Sequence, residues 1–246
     1  MPRIARQKSE SGFYHVVLRG ICRQNIFEDD EDNIRFLDTI QRFKNEMNFE
    51  IHAYCLMNNH VHLLIRDLEN RLDLIIKKIG CSYVYYFNNK YDRMGHLFQD
   101  RFRSEAIEDD KYYLTALRYI HQNPEKAGIE KIDKYKWSSY NEYIKGSKLI
   151  QTSFALDLLG GTEEFEDYTK MANDDICLEI SERRKITDND VKSILIHEYG
   201  INSGVEISGL KIDKRNKILS ELKGKGISVR QIARITGINR GTIQNA

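Results

Sequence analysis

Residues 49–57 read FEIHAYCLM and residues 60–66 read HVHLLIR, with only Asn58 and Asn59 between them. Two β-rich runs so close together predict an antiparallel hairpin, and an Asn-Asn pair is suited to its tight turn. Side chains alternate along a strand, so His60 and His62 share one face while Val61 takes the other. Paired imidazoles suit a divalent cation. The alternative is two partly buried histidines, each with its own hydrogen bond, and a third ligand would decide between them.

The surrounding pattern extends this hairpin into a domain. Residues 13–19, FYHVVLR, predict a strand, and GICRQNIF follows as a loop. Ile34, Phe36, Leu37, Ile40, Phe43 and Met47 recur at helical spacing over residues 31–47. A helix is expected over 70–89, a short strand near 104–108, and a helix over 110–123 that Pro124 stops. The order βαββαβα suits an α+β fold, an antiparallel sheet covered by helices.

Beyond Trp137 and Tyr140 the pattern changes. Residues 153–201 read as helical, with Gly160-Gly161 as a break, and residues 151–209 carry five Lys/Arg against thirteen Asp/Glu. Residues 210–246 reverse this balance, with nine Lys/Arg against two Asp/Glu, although the whole chain is only +1. Basic modules favour polyanions. The last stretch predicts three short helices, with Ser228 capping the second. Ala233 and Gly237, four apart among isoleucines, let two helices meet steeply, as in a helix-turn-helix. The expected division is a domain over 1–150, an acidic helical linker over 151–185 and a helix-turn-helix module over 186–246. The chain reaches Ala246 soon after the last helix begins, which would make that module a shortened one.

Several classes are disfavoured. The apolar runs are far shorter than a membrane span needs, and MPRIARQKSE has no apolar segment like that of a signal peptide. Cys22, Cys55, Cys81 and Cys177 are scattered without a CxxC pair, as in a cytoplasmic protein with reduced thiols. No Walker-type glycine loop accompanies the chain, which argues against a replication initiator or relaxase coupled to an ATPase.

Residues 118–124, RYIHQNP, place Tyr119 and Asn123 one helical turn apart. A phenol and an amide so placed can serve one site, as nucleophile and ligand; a packing tyrosine and a C-terminal asparagine are the alternative. His121 projects elsewhere on the helix. In LFQDRFRS, Arg101 and Arg103 alternate with Phe98 and Phe102, a pattern that can hold phosphates and stack on unpaired bases. Asn239, Arg240, Thr242 and Gln244 open the presumed recognition helix and are residue types that read base edges. Arg230 lies on the helix before it.

Taken in order, YHVVLRG, AYCLMNNHVHLLI, FNNKYDRMGHLFQDRFRSEAI, YYLTALRYIHQNPEKAG and YKWSSYNEY resemble the single-tyrosine HUH transposases, most closely the REP-associated tyrosine transposases. The resemblance covers roughly residues 2–145. The C-terminal part resembles the helix-turn-helix domain of the bacterial replication initiator. Asn58 stands where relatives usually have proline, and Ile21 where asparagine often follows the RG pair. The resemblance implies a ferredoxin-like HUH fold, His60 and His62 as ligands of Mg²⁺ or Mn²⁺, Asn123 as the third ligand and Tyr119 as the nucleophile. It implies nicking and rejoining of single-stranded hairpin DNA through a 5′-phosphotyrosine, by a monomer or homodimer. It also implies DNA contacts from Arg19, Arg101, Arg103 and the tail residues Arg3 and Arg6. Duplex DNA is the expected partner of the C-terminal module. A DNA-binding regulator with an idle HUH site is the alternative.

Overall fold

A computed structural model describes residues 7–146, 149–173, 175, 177 and 188–246. Arg3 and Arg6 lie outside the described residues. The chain divides into two compact units, Met1–Ile180 and Ser181–Ala246.

The first unit is built on four strands, β1 (Phe13–Arg19), β2 (Glu50–Met57), β3 (His60–Arg66) and β4 (Arg103–Ile107). They form one antiparallel sheet in the order β2-β3-β1-β4. Helix α1 (Asp30–Met47) follows β1, α2 (Leu72–Lys90) follows β3 and α3 (Asp110–Lys126) follows β4. This is the expected α+β order. Asp29 caps α1 by accepting from Asp32 N at 3.1 Å, and Asp109 caps α3 by accepting from Tyr112 N at 2.7 Å.

The hairpin forms with Met57 opposite His60. Its Asn58-Asn59 turn is held from outside by the loop after β1. Ile26 N donates to Asn58 O at 2.7 Å and Gly20 N donates to Asn59 O at 2.8 Å. The outer edge of β2 is covered rather than open. Leu56 N donates to Trp137 O at 2.8 Å, Ser139 N to Tyr54 O at 3.0 Å, and Gln151 N to Ile51 O at 2.7 Å. Edge donors and acceptors paired in this way cannot template aggregation.

Two expectations need correction. Pro124 does not stop α3, which runs on to Lys126. A proline so near the C-terminus removes one ladder donor but leaves the last turn intact, with Ala127 N donating to Asn123 O at 3.0 Å. The stretch 151–185 is not a linker over its described part. Helices α4 (Tyr140–Lys145), α5 (Ser153–Leu159) and α6 (Thr162–Lys170) complete the first unit. Phe165 is fully buried and stacks on Tyr143 at 4.3 Å, and Phe154 stacks on Phe13 at 5.2 Å. Asp157, Glu163, Glu164 and Asp167 are exposed while Ala155 and Phe165 are buried and Phe154 is half-buried against the core, which an average over the segment hides.

The second unit contains α7 (Asp188–Tyr199), α8 (Ile212–Gly224), α9 (Val229–Thr236) and α10 (Arg240–Asn245). Val191, Leu195, Leu219, Leu222, Ile232 and Ile243 form its core. Ser228 caps α9 by accepting from Gln231 N, and Gly237 ends it at φ 71°, a left-handed turn that glycine adopts at no steric cost. Helix α9, the turn at Gly237 and helix α10 follow one another in the expected order.

Among the described residues no helix is long and apolar enough to cross a membrane.

Candidate active site

Register places the key side chains. Arg19 lies opposite His60 and Val17 opposite His62 across the β1–β3 pair, and Cys55 lies opposite His62 across β2–β3. Alternation therefore sets His15, Val17, Arg19, Cys55, His60 and His62 on one sheet face. Helix α3 crosses this face and brings Tyr119 down onto it. The His62 and Tyr119 rings lie 5.8 Å apart edge to face, and the His60 and His62 rings 5.0 Å apart. Tyr119 is 7% exposed, so its ring is fixed against the imidazoles rather than free in solvent.

Each imidazole has one nitrogen already engaged. His60 Nδ1 pairs with Asn59 Oδ1 at 2.6 Å, and His62 Nδ1 pairs with His15 Nε2 at 3.0 Å. Among the described residues no hydrogen bond engages the Nε2 atom of either ring. Burial, with the Arg19 charge beside it, lowers the His60 pKa to about 4. Burial also holds His62 well below the usual imidazole range, reinforced by its two histidine neighbours. Both rings are thus neutral at pH 7, the form a cation requires.

Sequence reading did not single out His15. It is fully buried, its ring stands 5.2 Å from His62 and 5.9 Å from Tyr119, and burial lowers its pKa to about 3. Its place two residues from Val17 in FYHVVLR was visible, but the β1–β3 register that makes it a neighbour of His62 was not.

Asn123 lies one turn beyond Tyr119, where its Nδ2 donates to Tyr119 O at 2.8 Å and leaves Oδ1 as the ligand-type atom. Among the described residues no three His, Cys, Asp or Glu side chains form a cation site. Two neutral imidazoles and an amide oxygen are donor types that a divalent ion accepts. Cys55 is not such a donor. Burial pushes its thiol well above the ordinary range, and its sulfur contacts Met57 Sδ at 3.6 Å. His121 faces away from the site and pairs with Ser139 Oγ at 2.8 Å. Lys126 stands over the Tyr119 ring at 5.4 Å.

Arg101 and Arg103 are exposed, with Arg103 opposite Val17. Phe98 and Phe102 are half-buried against the core, so packing engages the aromatic half of that motif. Arg19 is half-buried at the end of β1. In the second unit Arg230, Arg240 and Gln244 are exposed and Thr242 is half-buried. Asn239 caps α10, its Oδ1 accepting from Gly241 N at 2.8 Å.

Tyr119 on a helix stands above two strand histidines on an antiparallel sheet, the juxtaposition that the sequence resemblance implies. Residues 8–123 match the family model for "Transposase IS200 like". Over 110 residues the chain is 30% identical to a REP-associated tyrosine transposase of Haemophilus influenzae. That match spans 39% of this chain and 62% of the length of its relative. The solved structure of a REP-associated tyrosine transposase bound to a REP hairpin has the same fold. It superposes with a TM-score of 0.51 at 19% identity, covering 74% of this chain and 98% of that one.

Proposed function

We propose that the first unit nicks and rejoins single-stranded DNA at a hairpin, with Tyr119 as nucleophile. The observation that carries this reading is the Tyr119–His62–His60 cluster, in which both imidazoles are neutral and each keeps one nitrogen uncommitted. His60 and His62 would hold Mg²⁺ or Mn²⁺ through Nε2, with Asn123 Oδ1 as third ligand. When bound, the ion supplies Lewis-acid polarisation of a non-bridging phosphate oxygen, and the imidazole ligands tilt the preference toward Mn²⁺.

Tyr119 Oη attacks phosphorus in line and loses its proton. The bond from phosphorus to the 3′-oxygen breaks, giving a 5′-phosphotyrosine and a free 3′-hydroxyl. Reversal by another 3′-hydroxyl rejoins strands, because the ester conserves the bond. Arg19, Arg101 and Arg103 line the same end of the sheet and suit the strand's phosphates. The relative bound to a REP hairpin supports a hairpin as substrate, and the tail residues Arg3 and Arg6, outside the described residues, are the proposed readers of its foot.

The second unit, by the same proposal, binds duplex DNA through the α9–α10 pair, with Arg230, Arg240, Thr242 and Gln244 toward the groove. Asn239 contributes its cap and an amide nitrogen.

The test is a labelled hairpin oligonucleotide incubated with Mn²⁺ and run on a denaturing gel. The unmodified chain forms a covalent adduct, and Tyr119→Phe abolishes it while hairpin binding stays within about twofold, since one hydroxyl is removed from a ring whose packing is retained. An adduct formed by Tyr119→Phe would show that another tyrosine is the nucleophile. No adduct from the unmodified chain across many hairpins would favour a regulator with an idle site.

A further inference from the structure

We propose that His15 is a positioning residue that accepts the Nδ1–H of His62 and thereby keeps His62 Nε2 bare for a cation. This rests on the metal-site reading above and goes beyond it, because His15 itself is neither ligand nor nucleophile.

The geometry allows one proton between His15 Nε2 and His62 Nδ1, 3.0 Å apart. If His15 donates, His62 must carry its own proton on Nε2 and cannot ligate there. If His62 donates, its Nε2 lone pair is exposed to a ligand and His15 carries its proton on Nδ1. Only the second arrangement is compatible with cation binding through Nε2. Ligating histidines elsewhere are oriented in this way by a carboxylate, carbonyl or water; here the acceptor is a third imidazole.

Two features keep His15 in that part. By register the carboxylate on its face is Glu105, opposite it on β4, and Glu105 Oε2 accepts instead from Tyr112 Oη at 2.5 Å. His15 therefore has no acid partner that would turn it into an imidazolium donor. Its Nδ1 has no partner among the described residues, so this arrangement leaves one buried N–H unpaired, a cost that cation binding at His62 Nε2 must outweigh. The fully buried ring is also held against both His62 and Tyr119.

The experiment measures Mn²⁺ affinity from the electron paramagnetic resonance of free Mn²⁺, on the full chain with its hairpin. His15→Leu removes the acceptor at similar volume; His15→Gln supplies an amide oxygen close to the Nε2 position. His15→Leu weakens Mn²⁺ binding by about 10- to 100-fold, whereas His15→Gln stays within a few-fold of the parent. Hairpin affinity without metal is unchanged in both. Equal losses in the two variants, or no loss in His15→Leu, overturn the inference. Retention of Mn²⁺ by His62→Ala would instead overturn the metal-site reading, so the two failures are distinct. Should His15→Leu not fold, the ¹⁵N tautomer signature of the magnesium-bound parent decides: His62 protonated on Nδ1 upholds the inference, and protonation on Nε2 sinks it.

Discussion

Replacing Gly20 tests whether the His60–His62 hairpin is held from outside. Gly20 has φ −63° and ψ 141°, a conformation alanine adopts freely, so backbone strain is not at issue. A Cβ at this position would lie 2.2 Å from Gln24 O and 3.0 Å from Ile26 Cγ2. Ordinary contact begins near 3.4 Å, so backbone rather than a side-chain tip must retreat by about 1 Å. The loop that would move is the one donating to Asn58 O and Asn59 O. Overpacking of this kind costs about 1–3 kcal/mol, and loss of one of those hydrogen bonds adds about 1 kcal/mol. Trp137 is the only tryptophan and lies in the first unit, so its fluorescence follows that unit in urea. With an m-value of about 2 kcal/mol/M, Gly20→Ala lowers the midpoint by about 1–2 M. Gly80 provides the opposite case. It lies inside α2, and a Cβ there meets nothing nearer than Phe98 Cε2 at 3.8 Å. Gly80→Ala gains about 0.5–1 kcal/mol and raises the midpoint by about 0.3–0.5 M. A Gly20→Ala midpoint within about 0.3 M of the parent, or shifts of the same sign at both positions, would refute the reasoning.

The first unit loses stability on mild acidification. Burial lowers His52 to about 4 and His121 to about 3, both below the unfolded value of 6.5, so the unfolded chain binds more protons as pH falls from 6.5 toward 4. At about 1.4 kcal/mol per pH unit for each, these two histidines alone make the first unit about 4 kcal/mol less stable at pH 5 than at pH 7, and equal urea midpoints at the two pH values would contradict this. In the second unit, Arg230→Ala with Arg240→Ala reduces the slope of log affinity for duplex DNA against log salt by about 2. An unchanged slope would remove these residues from the interface.

The local parts of this protein were legible because they depend on short periodicities. The HxH pair, the Asn-Asn turn, the Tyr119/Asn123 turn and the C-terminal helix-turn-helix each need only neighbours in sequence. What escaped depends on pairing between distant segments. His15 reaches His62 only through strand register, and no residue near position 15 encodes that register. Phe98 and Phe102 looked available for stacking because alternation shows which residues share a face but not which face is covered. The acidic stretch was misread because net charge averages over a helix, whereas burial selects one side of it through Phe154, Ala155 and Phe165.

Strand β2 explains how a helix residue and a strand residue meet with fixed spacing. On one side it pairs with β3, setting Cys55 opposite His62. On the other, Ser139 Oγ accepts from Tyr54 N at 2.9 Å and also pairs with His121, two residues from Tyr119. A second tie joins His52 Nδ1 to Tyr113 Oη at 2.8 Å, near the start of α3. Both ties are buried, where a lost partner costs more than the bond itself contributes. The position of Tyr119 relative to the imidazoles is therefore referred to the β2–β3 hairpin through these two ties. On the proposed mechanism, in which this phenol attacks phosphorus in line, such placement matters most, since small misalignments are expensive in displacement chemistry.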